Sequence, residues 1–320
     1  VSLTGARCTC EIQKLGGMLG PAEFDLGNGR RVQPLAVAPW ADDPPEQLAT
    51  IEPLLRRLRG EWPCVPFGVP NHLENLPQAW RPDTTAPSQA WNTEAHGYSS
   101  HHEWTFGKVQ DDHAELHIAY PEHHPISHLN RHIRIASNEP KIEIDLEVIA
   151  RRDCRLPIGL HPVLRLPEKP GSVRLGLRDG VLAWTFPLPV EPGRTALMPD
   201  QRDISPDAVL NANGDSVGLR SSLPFAAASE DLVLLTGTEG WVDFDNLDEG
   251  YRVSLRWDPQ AFPACNLWIS NAGRQFYPWN GRFRGLGIEP VSAPFDLGTV
   301  IAEDENNPLA RSGTPTSQTF

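Results

Sequence analysis

The 320-residue sequence is poor in basic residues, with 28 Lys and Arg against 41 Asp and Glu and a formal net charge of −13. The basic residues are scattered, so the concentrated positive footprint of a nucleic-acid binder is missing and no nucleic-acid partner is expected. An acidic surface aids solubility and disfavours anionic partners. Cysteine is scarce and unpaired in pattern. Its five positions, 8, 10, 64, 154 and 265, are odd in number and irregular in spacing, unlike a secreted disulfide framework. They read as reduced thiols. No uninterrupted apolar run approaches the roughly 20 residues of a membrane helix, so no membrane partner is expected. Residues 1–10 lack a basic start followed by an apolar stretch, and the cytoplasm is the expected compartment. Internal repeats and domain linkers are also missing. A single domain is expected over residues 1–302, followed by a polar, aperiodic tail, 303–320, expected to be loosely held. The expected assembly is a monomer or a weak homodimer.

What is present is short-range alternation. The 32 prolines and 26 glycines suit many short strands joined by turns. In residues 141–149, Ile142, Ile144, Leu146 and Val148 share one face, while Glu143, Asp145 and Glu147 share the other. Residues 114–120, 132–136, 172–177, 232–236, 251–257, 265–270 and 285–289 are further strand candidates. Turn signals such as Lys169-Pro170-Gly171, Asn213-Gly214 and Asp248-Glu249-Gly250 separate them. One short helix is expected over residues 48–58, where Leu48, Ile51, Leu55 and Leu58 form a stripe and Pro53 divides or shortens it. The fold class expected is an all-β antiparallel sandwich.

Two strand ends carry candidate chemistry. In Leu156-Pro157-Ile158-Gly159-Leu160-His161-Pro162, an imidazole is held in extended backbone by the following proline. Histidine exchanges protons near neutral pH, although a simply buried histidine fits the same pattern. In Gly285-Leu286-Gly287-Ile288-Glu289-Pro290, an apolar strand ends in a carboxylate. Burial there is costly unless the group is paired or used, and desolvation would make it a stronger base. A salt bridge to Arg282 or Arg284 is the alternative. A third segment, Ala95-His96-Gly97-Tyr98, places a histidine beside a conformationally free glycine. Ten of the eleven histidines lie between 72 and 132. Their spacing would gather metal ligands on a helix, but the region reads as strand and loop, so no metal is expected. Ten tryptophans are many for this length. Trp91 and Trp268 are candidates for stacking on a sugar face, with core filling the alternative for each.

Taken in order, these pieces resemble the aldose 1-epimerase (galactose mutarotase) family over about residues 63–295. The matching features are Pro66-Phe67-Gly68, His96-Gly97 with Trp104, Gly159-Leu160-His161-Pro162, Asp231-Leu232-Val233-Leu234, and Gly287-Ile288-Glu289-Pro290 with Pro294. The resemblance implies an antiparallel β-supersandwich with an open cleft, and interconversion of the α and β anomers of a free aldose without a cofactor. It implies Glu289 as the general base at the C1 hydroxyl, His161 as the general acid at the ring oxygen, His96 as a helper there, and Asp231 as a holder of sugar hydroxyls. The sequence departs from the family after Pro66-Phe67-Gly68. Where classical members carry an Asn-Arg pair, it has Asn71-His72, with no arginine before Arg81. Asn71 and His72 are therefore the substrate contacts expected at this place, and nothing near them in sequence offers a guanidinium fork. Such a cleft is expected to favour another aldose or a derivatised sugar over galactose. A non-catalytic carbohydrate-binding protein of the same fold, or an isomerase or lyase acting on a modified sugar, are the competing functions.

Overall fold

The structure, a computed structural model, describes residues 1–70, 74–82 and 91–320. Every strand ladder among the described residues is antiparallel. A central seven-stranded sheet carries the argument. Its strands are β1 (Pro63–Cys64), β2 (Ile158–Leu160), β3 (Val163–Arg165), β4 (Leu182–Thr185), β5 (Ser229–Thr236), β6 (Ala264–Asn271) and β7 (Arg284–Ser292). They run in the order β4-β5-β6-β7-β2-β1, with β3 also paired to β7. Four-stranded sheets are formed by residues 2–32 and 105–150, and a three-stranded one by Val173–Gly176, Trp241–Asn246 and Tyr251–Arg256. The Asp248-Glu249-Gly250 signal falls in the tight link between the last two strands, where Gly250 adopts a φ of 68°.

The central strands are buried on both faces, so β5, β6 and β7 carry buried polar residues among their apolar ones and show no wet face. Alternation still separates the two sides. Leu232, Leu234 and Trp268 join a core with Trp40, Trp62 and Phe283. Val233, Leu235, Leu267 and Ile288 join a second core with Leu175, Val242 and Phe244. A third core lies under the strands of residues 2–24 and 105–135.

Two local expectations change. The helix expected over 48–58 is two separate turns, Pro45–Leu48 and Pro53–Arg56, each opened by a proline at its first position. The tail of residues 303–320 is built into the structure. Asn307 caps the turn Pro308–Arg311, accepting from the Ala310 N–H at 2.9 Å, and Leu309 is fully buried. Gln318–Thr319 then pairs with Arg155–Leu156. Its order comes from long-range pairing that leaves no period in the sequence. No described helix is long and apolar enough to cross a membrane.

Candidate active site

Strand register builds the site. Gly159 faces Val291 and Val163 faces Gly287, so the residue midway, His161, falls opposite Glu289. His161-Pro162 is the interruption between β2 and β3, and proline's missing N–H is what breaks the ladder there. On its other side Glu289 faces Asn266 of β6. The β1–β2 register, extended by one residue, sets Trp62 beside His161, whose N–H donates to the Trp62 carbonyl at 2.9 Å. Trp62, His161, Glu289 and Asn266 thus form one cross-strand row. Directly opposed side chains in such a row have Cβ atoms about 4.5–5.5 Å apart, close enough to work together.

The side chains meet as the register requires. His161 Nε2 lies 3.3 Å from Glu289 Oε1, without the alignment of a hydrogen bond. Asn266 Nδ2 donates to the other carboxylate oxygen at 2.8 Å. The Trp62 ring stacks on the His161 ring at 4.1 Å and 15°. His96 stands edge-on to His161, ring centres 5.2 Å apart. It reaches this place through two left-handed residues, His96 (φ 60°) and Gly97 (φ 80°). A side chain at Gly97 would collide with the Val65 carbonyl, so the chain can pass there only as glycine. Gly287 has a similar role. A Cβ there would occupy the place of Glu289 Oε1, so the missing side chain gives the carboxylate its room.

These groups line a cavity of about 250 Å³. Around it, Trp62 Nε1, His96 Nδ1, His161 Nδ1, Asn266 Oδ1, Glu289 Oε1 and Asp296 Oδ1 are buried with no hydrogen-bond partner among the described residues. Buried polar atoms are normally satisfied, and a group of them converging on one cavity marks a ligand site. Burial sets the protonation states. It pushes Glu289 well above the ordinary carboxylate range, against the opposing Asn266 hydrogen bond. It drives His161 well below the usual imidazole value, with His96 adding to the effect, and brings His96 down to about 4. Asp296 is raised to about 6 by the same desolvation. Both shifts favour the uncharged forms, the carboxylic acid of Glu289 and the neutral imidazole of His161.

The sequence candidates are divided by the structure. His161, Glu289, His96 and Trp268 all line the cavity. Asp231 does not. Its Oδ1 accepts from the backbone N–H groups of Ala196 and Leu197, both at 2.9 Å, on the opposite face of β5. Glu230, one residue earlier, is on the cavity side and accepts from Ser270 Oγ at 2.7 Å and Trp268 Nε1 at 3.3 Å. A slip of one residue exchanges the faces of a strand, and a strand buried on both sides gives no alternation to choose by. Trp91 is also elsewhere, packed edge-on against His124 at 4.6 Å beside the third core. Asn71 and His72 lie outside the described residues. Arg274, Asn266, Asp296 and Trp62 line the cavity without having been singled out in the sequence. Arg274 holds its guanidinium over Trp279 at 4.7 Å and Trp268 at 5.6 Å, 3.9 Å from Glu230. No three of the His, Cys, Asp and Glu side chains among the described residues converge as a metal site. The histidines of 101–128 instead make local contacts, His101 with the Ala95 carbonyl, His102 with Glu94 and His117 with Asn130.

No family model and no curated protein matches the sequence. Solved structures do match the fold. A candidate aldose 1-epimerase from Escherichia coli K12 superposes with a TM-score of 0.62 at 14% identity, over 100% of this chain and 92% of the other. An aldose epimerase homologue from C. elegans gives 0.57 at 13% identity, over 100% and 95%. A galactose mutarotase-like protein from Lactobacillus casei gives 0.54 at 12% identity, over 100% and 94%. The chain has the galactose mutarotase-like fold.

Proposed function

We propose that the protein is an aldose 1-epimerase, exchanging the anomers of a free aldose by opening and closing the sugar ring. One observation carries the reading: Glu289 and His161 oppose each other 3.3 Å apart in a cavity of monosaccharide size. The reaction needs a base at the C1 hydroxyl and an acid at the ring oxygen. A C1 hydroxyl donating to Glu289 favours its carboxylate form, and the carboxyl proton then resides on His161. Glu289 takes the C1 hydroxyl proton as the bond from C1 to the ring oxygen breaks, and His161 delivers its proton to that oxygen. The product is the open-chain aldehyde, with Glu289 protonated and His161 neutral. Rotation about C1–C2 and the reverse transfers close the other anomer and restore the pair. His96 stands where it can hydrogen-bond near the ring oxygen, and Arg274, Asp296 and Asn266 supply donors and acceptors for ring hydroxyls. Trp268 offers a flat apolar face. Positioned proton transfer of this kind contributes about 10²–10⁴ in rate per group.

The test is the approach of freshly dissolved α-aldoses to anomeric equilibrium, followed by polarimetry with and without the protein. Acceleration that is lost in Glu289→Gln supports the reading. Sugar binding without acceleration of any aldose would assign the protein as a carbohydrate binder instead.

A further inference from the structure

The strands that carry the reacting pair have a second face, and it too is hollow. Successive residues of a strand point to opposite sides. Trp62, His161 and Glu289 line the cavity described above, while their chain neighbours Glu61, Leu160, Pro162 and Pro290 line a groove of about 890 Å³. The groove follows the seam between the second and third cores, and Leu35, which lines it, packs against both. Edge strands of two sheets line it as well, Tyr251–Arg256 of one and the start of Ile142–Ala150 of the other. Each contributes an apolar set that is only half-buried, Val253 and Leu255 on the first, Ile142 and Ile144 on the second. A concavity of about 300–1,000 Å³ with mostly apolar walls and a few polar groups is the ordinary make-up of a small-molecule site.

One polar group here has a vacancy for such a molecule. Glu61 is 4% exposed, and its Oε2 accepts from Nη2 of Arg131, itself fully buried. Its Oε1 has no hydrogen-bond partner among the described residues. The buried pair cancels in charge but leaves one acceptor unused, a cost that a ligand donor would relieve. Arg134, Lys141, Arg252 and Arg256, which also line the groove, each already face a carboxylate. We propose that the groove is a second ligand site, for an uncharged, largely apolar small molecule carrying one N–H or O–H donor for Glu61. An anionic ligand would have to draw a cation from its carboxylate and lie near Glu61. A partner strand is opposed by the charges of Arg252, Arg256, Glu143 and Asp145 along the same two edges, a common guard against edge pairing.

N-Phenyl-1-naphthylamine is a probe of this class, uncharged and aromatic with a single N–H. Its fluorescence titration should saturate at one molecule per chain. Methylating its nitrogen removes the donor and should weaken binding by ~10- to 100-fold, the worth of a hydrogen bond to a charged group. 1-Anilinonaphthalene-8-sulfonate, which adds an anionic group, should also bind more weakly than the parent. Ile144→Asp and Leu255→Asp put a charge at half-buried groove positions and should abolish binding. Glu289→Gln, on the other face, should leave it unchanged, with circular dichroism confirming that each variant is folded. Absent or unsaturable binding, or binding that both groove variants retain, overturns the site. Equal affinity for the N-methyl probe, a comparison that needs no variant, overturns the donor-bearing ligand and the role of Glu61. Wild-type dimers in sedimentation that Leu255→Asp dissociates would assign the face to a second copy of the chain and overturn the proposal. The inference stands apart from anomer exchange, and each of these results leaves that reading in place.

Discussion

Replacing Glu289 by Gln separates the two accounts of a buried carboxyl, structural or catalytic, in one variant. The substitution keeps the shape. The amide oxygen can accept from Asn266 Nδ2, as Glu289 Oε2 does at 2.8 Å, and the NH₂ can face His161. What is lost is the ability to ionise. Glu289 is 1% exposed, and burial raises its pKa well above the ordinary range. The folded protein therefore holds a proton that the unfolded chain releases above about pH 4.3. A raised folded pKa means stability is fully present below the unfolded value and is lost as pH rises toward the folded one. Wild type should accordingly weaken relative to Glu289→Gln as pH rises above about 4.3 toward the raised folded value. Turnover should fall by about 10²–10⁴ at every pH. Urea midpoints at several pH values, with unchanged denaturant slopes, measure the first quantity and polarimetry the second. Stability curves that run parallel with pH would refute the desolvated carboxyl, and full activity would refute the base.

Four further outcomes follow from the same geometry. His161→Asn should lose turnover to a similar extent, and its stability should hold up better than wild type as pH falls below about 6.5, because burial depresses the His161 pKa and wild type resists that proton; acid-limb denaturation curves check it. Gly287→Ala should displace the Glu289 carboxylate and cut kcat while leaving a folded protein by circular dichroism, since the clash is with the mobile end of that side chain. Asp231→Ala strands the Ala196 and Leu197 N–H groups and should cost about 1–3 kcal/mol for each unsatisfied group in thermal unfolding, with KM unchanged at a temperature where the variant is folded. Exhaustive chelation should leave mutarotation unaltered, because Glu289 and His161 supply both proton steps; loss of activity that zinc restores would count against this account.

The strands, and the meeting of His161 with Glu289 in one cavity, were legible for a shared reason: each rests on a local pattern. Residues 141–149 alternate along an edge strand with one wet face and form Ile142–Ala150. His161 stands before a proline at the end of β2, and the break that the proline imposes turns it toward β7; Glu289 also precedes a proline, but inside β7, which runs on to Ser292 instead of ending at the carboxylate. Asp231 failed for the opposite reason. In β5 every residue is buried, so the pattern Ser-Glu-Asp-Leu-Val-Leu-Leu-Thr carries no mark of which face meets the cavity. Only the pairing of Leu232 with Trp268, and of Glu230 with Ser270, reveals that Glu230 is on the cavity face. The tail was missed because two buried anchors, Leu309 and Thr316, leave no periodic trace.

The arginine question shows most directly how chain distance misleads. Read along the sequence, the absence of an arginine beside Asn71-His72 removes a fork of donors from the site, and Arg81 lies too far along the chain to replace it. Read in space, a guanidinium lines the cavity from the segment that follows β6, more than half the chain away. Its setting is demanding. Two indole faces enclose Arg274 and a carboxylate 1% exposed lies 3.9 Å from it, so its planar, delocalised cation suits the place where the compact ammonium of a lysine would not. The same cation opposes the desolvation of Glu230 and Asp296, holding both closer to ionisation than burial alone would. A charge that supports two carboxylates is partly committed before a sugar arrives. It can steady ring hydroxyls, but it leaves little attraction for an anionic substituent.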